Sequence, residues 1–159
     1  KRKALMIKTN IILNNKVWYR YLKNPNELIQ KKIKKFNKKF TLYKNKIIFF
    51  TILLSGNGEI KKLNKKYRKK NKSTDILSFP FYSKKELKIK LKRDDEIYLG
   101  DIIVNINKIN GKKNKLNFIS EFDKLWMHGL VHLFGYDHKK DNDYYTMRKV
   151  EKKFLSYLN

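Results

Sequence analysis

The chain has 159 residues, enough for one domain with its own hydrophobic core and no need of staples. It carries 40 Lys and Arg against 14 Asp and Glu, a formal charge of +26, and 41% of it is hydrophobic, too much for a disordered polyelectrolyte. The absence of cysteine excludes disulfides, thiolate metal sites, iron–sulfur clusters and cysteine nucleophiles.

In chain order, the alternation over residues 5–13 predicts a strand. Asn24-Pro-Asn-Glu27 predicts a helix start, with Asn24 as cap, Pro25 first in the helix and Glu27 reaching back. Leu28, Ile29, Ile33, Phe36 and Phe40 form its apolar stripe and lysines its other face. Residues 46–55 are almost wholly apolar and read as a buried central strand. Asn57 to Lys70 reads as a helix with Ile60, Leu63 and Tyr67 inward, and Asp75 to Phe81 as a short strand stopped near Pro80. Residues 83–96 are charged, but Leu87, Ile89 and Leu91 alternate and suggest an edge strand. Tyr98 to Val104 is another strand, followed by a short helical segment ending near Gly111. Phe118 to Phe134 is a long helix stopped by Gly135, and Asp141 to Leu158 the last helix, with Met147, Val150, Phe154 and Leu158 inward. The expectation is a single compact α/β (α+β) domain over 1–159, a small mixed β-sheet packed with four to five helices. The longest apolar run, Ile47 to Leu54, is too short to cross a bilayer, and the basic start is followed by too few apolar residues for a secretory signal. A cytoplasmic protein with no membrane partner is expected.

The charge has two readings. A field of this size attracts polyanions. Yet 35 of the 40 basic residues are Lys and only five Arg, and Asn and Ile stand at 17 each, the pattern of AT-rich codons loading solvated faces with Lys. A scarce arginine at a defined place therefore says more than the total.

The three histidines, His128, His132 and His138, fall within eleven residues. His128 and His132 are four apart, so both rings leave one face of a helix. Gly135 permits a left-handed turn that brings His138 back. Three neutral imidazoles with an open fourth position are the pattern of a catalytic zinc site. Metzincin proteases share this spacing but carry Glu after the first His. Here Gly129 stands there, which removes the general base for peptide hydrolysis; Gly129 also reads simply as room for close packing.

These residues point to a family. Met127-His-Gly-Leu-Val-His-Leu-Phe-Gly-Tyr-Asp-His138 closely resembles the signature of the YbeY rRNA-maturation endoribonucleases. Asn64-Lys-Lys-Tyr-Arg68, Ser73-Thr-Asp-Ile-Leu-Ser-Phe-Pro80, Leu99-Gly-Asp-Ile-Ile-Val104 and the acidic-start helix from Asp141 resemble further family blocks in the same order. Val131 in place of a usual Leu and a long, charged 83–96 segment are the departures. The resemblance implies a zinc-dependent endoribonuclease of single-stranded RNA, acting in 16S rRNA 3′-end maturation and ribosome quality control. It implies one Zn2+ on His128, His132 and His138, a basic groove for RNA, and the ribosome or small subunit as partner, with no DNA expected. Arg68 matches the family's functionally important arginine, and its planar fork suits two phosphate oxygens.

Four further residues have two readings each. Asp137 either orients a ligand imidazole or caps the last helix region. Asp101 is either buried at a strand end near the site or closes a turn. Ser78 either reaches a phosphate or bonds to backbone near Pro80. Tyr136 can stack a base or pack. The alternative function is a non-catalytic, basic, ribosome-associated RNA-binding factor with a structural zinc; three ligands rather than four argue against it.

Overall fold

The computed structural model describes residues 6–43 and 45–159; the expected strand start at Leu5 lies outside them. Strand β1 (Met6–Leu13) leads to helix α1 (Pro25–Lys39), then β2 (Ile47–Ser55), α2 (Asn57–Arg68), β3 (Ile76–Pro80), α3 (Lys84–Arg93), β4 (Glu96–Asn105), α4 (Lys115–Leu133) and α5 (Asp141–Ser156). The sheet order is β1-β2-β4-β3, with β1, β2 and β4 parallel and β3 antiparallel to β4. This is the small mixed sheet with five helices that the sequence predicts.

The apolar pattern sets the layers. Ile48, Phe50, Ile52 and Leu54 of β2 are buried against one contiguous core that includes Ile29, Ile33 and Phe36 of α1 and Phe118, Phe122, Trp126 and Leu130 of α4. Asn24 caps α1 by accepting the Glu27 amide at 3.0 Å, as its sequence predicts. The outer edge of β1 is closed by α1: the Asn37 side chain accepts from the Ile7 N–H at 2.9 Å and donates to the Ile7 carbonyl at 3.1 Å. These bonds occupy backbone groups that an exposed edge would offer to another strand.

Helix α4 lies close against β4 at Gly129, where a Cβ would come within 2.9 Å of Ile102 Cγ2. That contact supports the packing reading of Gly129. It also fixes the height of the α4 face that carries His128 and His132.

Two expectations are corrected. Residues 84–93 form helix α3 and not an edge strand. Ser83 caps the helix by accepting from the Glu86 amide at 3.2 Å, and its hydroxyl donates to the Glu86 carboxylate at 2.9 Å, while Leu87 and Leu91, one helical turn apart, are buried and Ile89 is exposed. Tyr67 faces solvent at 60% exposure, and Asn64 takes the inward position, donating to the Lys72 carbonyl at 2.9 Å. A 3₁₀ turn over Lys16–Arg20, absent from the sequence reading, inserts the fully buried Trp18, whose indole N–H donates to the Ser55 carbonyl at 3.0 Å.

Candidate metal centre and basic cleft

The last two turns of α4 present His128 and His132 on one face. The helix then ends, and Gly135 at φ +96° turns the chain back, as the sequence predicts. The Gly135 N–H donates to the His132 carbonyl at 2.9 Å, and His138 arrives beside the other two rings. Ring centroids are 4.6 Å apart for His128 and His132, 5.2 Å for His132 and His138, and 5.9 Å for His128 and His138.

The hydrogen bonds decide which nitrogens face inward. His132 Nδ1 lies 2.9 Å from the Tyr136 carbonyl, which can only accept, so Nδ1 carries the proton. His128 Nδ1 lies 2.6 Å from the Glu151 carboxylate on α5, which likewise accepts. Both Nε2 lone pairs are then left facing each other at 3.1 Å. Two ring nitrogens at that distance share a cation, either a proton on one imidazole or a metal ion bound by both. Nitrogens bound to one tetrahedral zinc-like ion at about 2.0–2.1 Å sit about 3.3 Å apart, so the donor pair fits a metal. His132, Asp137 and His138 also offer ligand atoms within 4.8 Å of one another. Burial, and next the field of His128, pushes the His132 pKa below its ordinary value, which favours the neutral imidazole that metal binding requires.

Glu151 is the residue that sequence reading missed. It follows Met147 by one turn on the predicted inner side of α5. A carboxylate near that face was the available signal, but only tertiary packing shows that it meets His128. Asp137 does not cap α5, whose first turn has no side-chain cap. Its carboxylate accepts the His138 backbone N–H at 2.7 Å, and this bond first, then Lys139 and the histidines, holds its pKa below the usual value.

The histidines border a cleft of roughly 960 Å³ whose far wall carries Arg68, Ser78 and Phe81, with Lys70, Lys72, Lys84 and Lys139 around it. Arg68, the last residue of α2, donates from Nη2 to the Ser78 carbonyl at 2.6 Å and lies over the Phe79 ring at 5.4 Å. This anchor aims an otherwise exposed guanidinium along the cleft wall. Ser78 also lines the cleft, and its carbonyl holds Arg68 there. Tyr136 lines the cleft too, half-buried, with its carbonyl committed to His132.

Asp101 is placed differently from either expectation. It is exposed within β4, paired with Thr51 on β2, and accepts a hydrogen bond from the Tyr98 hydroxyl. Its neighbour Ile102 points at α4. Strand alternation therefore turns Asp101 to the opposite face, away from the histidines.

The sequence model for Endoribonuclease YbeY matches residues 13–159. The chain belongs to the YbeY family. It is 39% identical to the Endoribonuclease YbeY of Pelagibacter ubique over 96% of this chain and 97% of that one. Against the Thermodesulfovibrio yellowstonii YbeY it is 35% identical over 92% and 89%. The solution structure of TM1509 from Thermotoga maritima shares the fold, with a TM-score of 0.56 at 24% identity over 96% of this chain and 89% of that one. No helix among the described residues is long and apolar enough to cross a membrane.

Proposed function

We propose that this YbeY-family chain is a metal-dependent endoribonuclease of single-stranded RNA, the whole of 1–159 forming one catalytic domain. The substrate proposed is 16S rRNA at its 3′ end, with a role in ribosome quality control on the small subunit in the cytoplasm. One zinc ion is held by His128, His132 and His138. The observation that carries this reading is the pair of inward Nε2 atoms, 3.1 Å apart with both Nδ1 positions satisfied, on the edge of a cleft that also holds Arg68. The relatives' name, Endoribonuclease YbeY, supports the reaction class.

The zinc, when bound, supplies Lewis acidity toward a phosphoryl oxygen and toward water. The chain supplies the rest. Arg68 offers a fork of donors to the phosphate, where they count most as negative charge builds. The three histidines are committed as ligands, so no histidine acid–base pair is free for proton transfer. Asp137, ionised at neutral pH, can accept a proton beside the third ligand. Lysines around the cleft attract the strand.

The test is single-stranded RNA cleavage by metal-loaded, chelated and His128→Ala protein, with circular dichroism on each. Cleavage by the loaded wild type alone, with all three folded, is expected. Full activity in the metal-free protein ends the catalytic-zinc reading. Unfolding on chelation, with no cleavage by any sample, favours a structural zinc in a binding factor.

A further inference from the structure

The histidine ridge has a second opening. His128 and His138 line the main cleft and also a smaller cavity of roughly 230 Å³ on the α5 side, closed by Tyr144, Met147, Arg148 and Glu151. We propose that Arg148 and Tyr144 form a second nucleotide subsite of single-stranded RNA, across the metal centre from Arg68. The proposal rests on the RNA-cleaving function above.

Four observations converge on it. First, the two cavities share His128 and His138, so a strand lying over the ridge passes from one to the other. Second, Arg148 is exposed, and among the described residues no carboxylate pairs with it. One guanidinium nitrogen donates to the Tyr144 hydroxyl at 3.0 Å, which orients the fork and leaves its remaining N–H groups for an anion. The carboxylate in the same cavity, Glu151, is turned to His128. Third, Tyr144 and Tyr145 are 45% and 66% exposed, their rings 5.9 Å apart at 75°, so an aromatic face stands beside the cation. A cation with an exposed aromatic ring is the pairing that holds a phosphate and stacks a base. Fourth, this composition places Lys at 35 of 40 basic positions, yet arginines stand at both sides of the histidines. Asp141 and Asp143, exposed in the first turn of α5, repel a strand from the helix start and so bias it toward Arg148.

The experiment uses the full-length, zinc-loaded protein and fully 2′-O-methylated single strands, whose integrity is checked on a gel after each titration. Wild type, Arg148→Ala, Tyr144→Ala and Arg68→Ala are compared by competition anisotropy, on a trinucleotide and a decamer, across a salt series. Zinc content and melting temperature are read on each. Arg148→Ala should weaken decamer binding about five- to tenfold and flatten the log–log salt slope by about 0.7, one phosphate contact on a single strand. Tyr144→Ala should weaken it about fivefold or more. The trinucleotide, too short to reach across the ridge, should bind both variants as it binds the wild type, and zinc should stay. A decamer affinity and salt slope unchanged in Arg148→Ala, with Arg68→Ala impaired, overturns the subsite and leaves the endoribonuclease reading standing. Equal losses on trinucleotide and decamer, or loss of zinc, also overturn it, because Arg148 would then act at the metal centre. A wild type that neither binds the decamer nor cuts unmodified RNA sinks both.

Discussion

At the scale of single residues, the site works through what each polar atom is made to face. Glu151 and the Tyr136 carbonyl hold the His128 and His132 imidazoles with Nε2 inward. Glu151→Gln should therefore lower zinc affinity about 10- to 100-fold while the fold persists, because such outer partners fix ring orientation and ligand basicity. Chelator competition against the wild type measures it, and equal affinities would assign Glu151 to packing alone. Arg68 is anchored by a backbone carbonyl and is no ligand. Arg68→Ala should lower single-turnover cleavage roughly a hundredfold or more, the scale of one lost preorganised donor. Zinc content and melting temperature should hold, and Arg68→Lys should rescue poorly because a point charge lacks the fork. A wild-type rate in Arg68→Ala removes its assignment. The lowered pKa of His132 has a stability consequence with a definite sign. Below its ordinary value of 6.5, the unfolded chain takes up a proton that the folded site declines. The metal-free protein should lose stability as pH falls from 7.5 through 6.5 toward the folded pKa, and His132→Gln should flatten that slope in urea titrations. Asp137, whose carboxyl is lowered, acts only at more acidic pH and does not cancel this window.

At the scale of elements, the position of α4 decides where His128 and His132 stand. Besides its buried core face, two specific contacts set it. Gly129 sits on Ile102, where an added Cβ would meet Cγ2 at 2.9 Å. Gly129→Ala should cost stability: overpacking costs about 1–3 kcal/mol, against at most about 1 kcal/mol regained from helix propensity. An Ala variant as stable as the wild type in urea would mean that Ile102 shifts freely. The second contact is the pair of Lys32 on α1 and Asp123 on α4, at 2.9 Å with side chains only 18% and 11% exposed. Asp123 also accepts from the Trp126 indole at 3.0 Å. Asp123→Ala strands both partners and should cost about 3–5 kcal/mol in the same assay. Sequence periodicity counts Lys32 among the solvated lysines of α1, and tertiary contact makes it a tie between helices.

At the scale of the molecule, the +26 charge is a long-range field, and a field by itself selects no place. The cleft gives it one. If RNA binds there, replacing Lys70, Lys72, Lys84 or Lys139 should weaken binding and flatten its salt dependence, each by about one phosphate contact. Lys31, Lys34 and Lys35 on α1, away from the cleft, should contribute little. Equal losses from the two groups would mean diffuse attraction and no groove. Affinity measured at several salt concentrations separates the outcomes.

Local chemistry was enough for most elements and for the histidines. Asn24, Pro25 and Glu27 start α1, the apolar run marks β2, and the turn at Gly135 follows from a short-range rule that only glycine meets easily. The His128 and His132 spacing is likewise helical geometry, legible within one turn. The strand reading of 83–96 failed on local evidence that was present, because Leu87, Ile89 and Leu91 fit a period of two while Ser83 and Glu86 were already a helix signal. What the tertiary structure alone decided joins distant segments: Glu151 against His128, Lys32 against Asp123, Arg68 on Ser78, and Asp101 turned to the far face of the sheet. Those contacts depend on how helices and strands pack, which side-chain periodicity does not encode. A sequence determines which face an element buries through spacing, but which partner that face meets is set by the sum of all the packed faces at once.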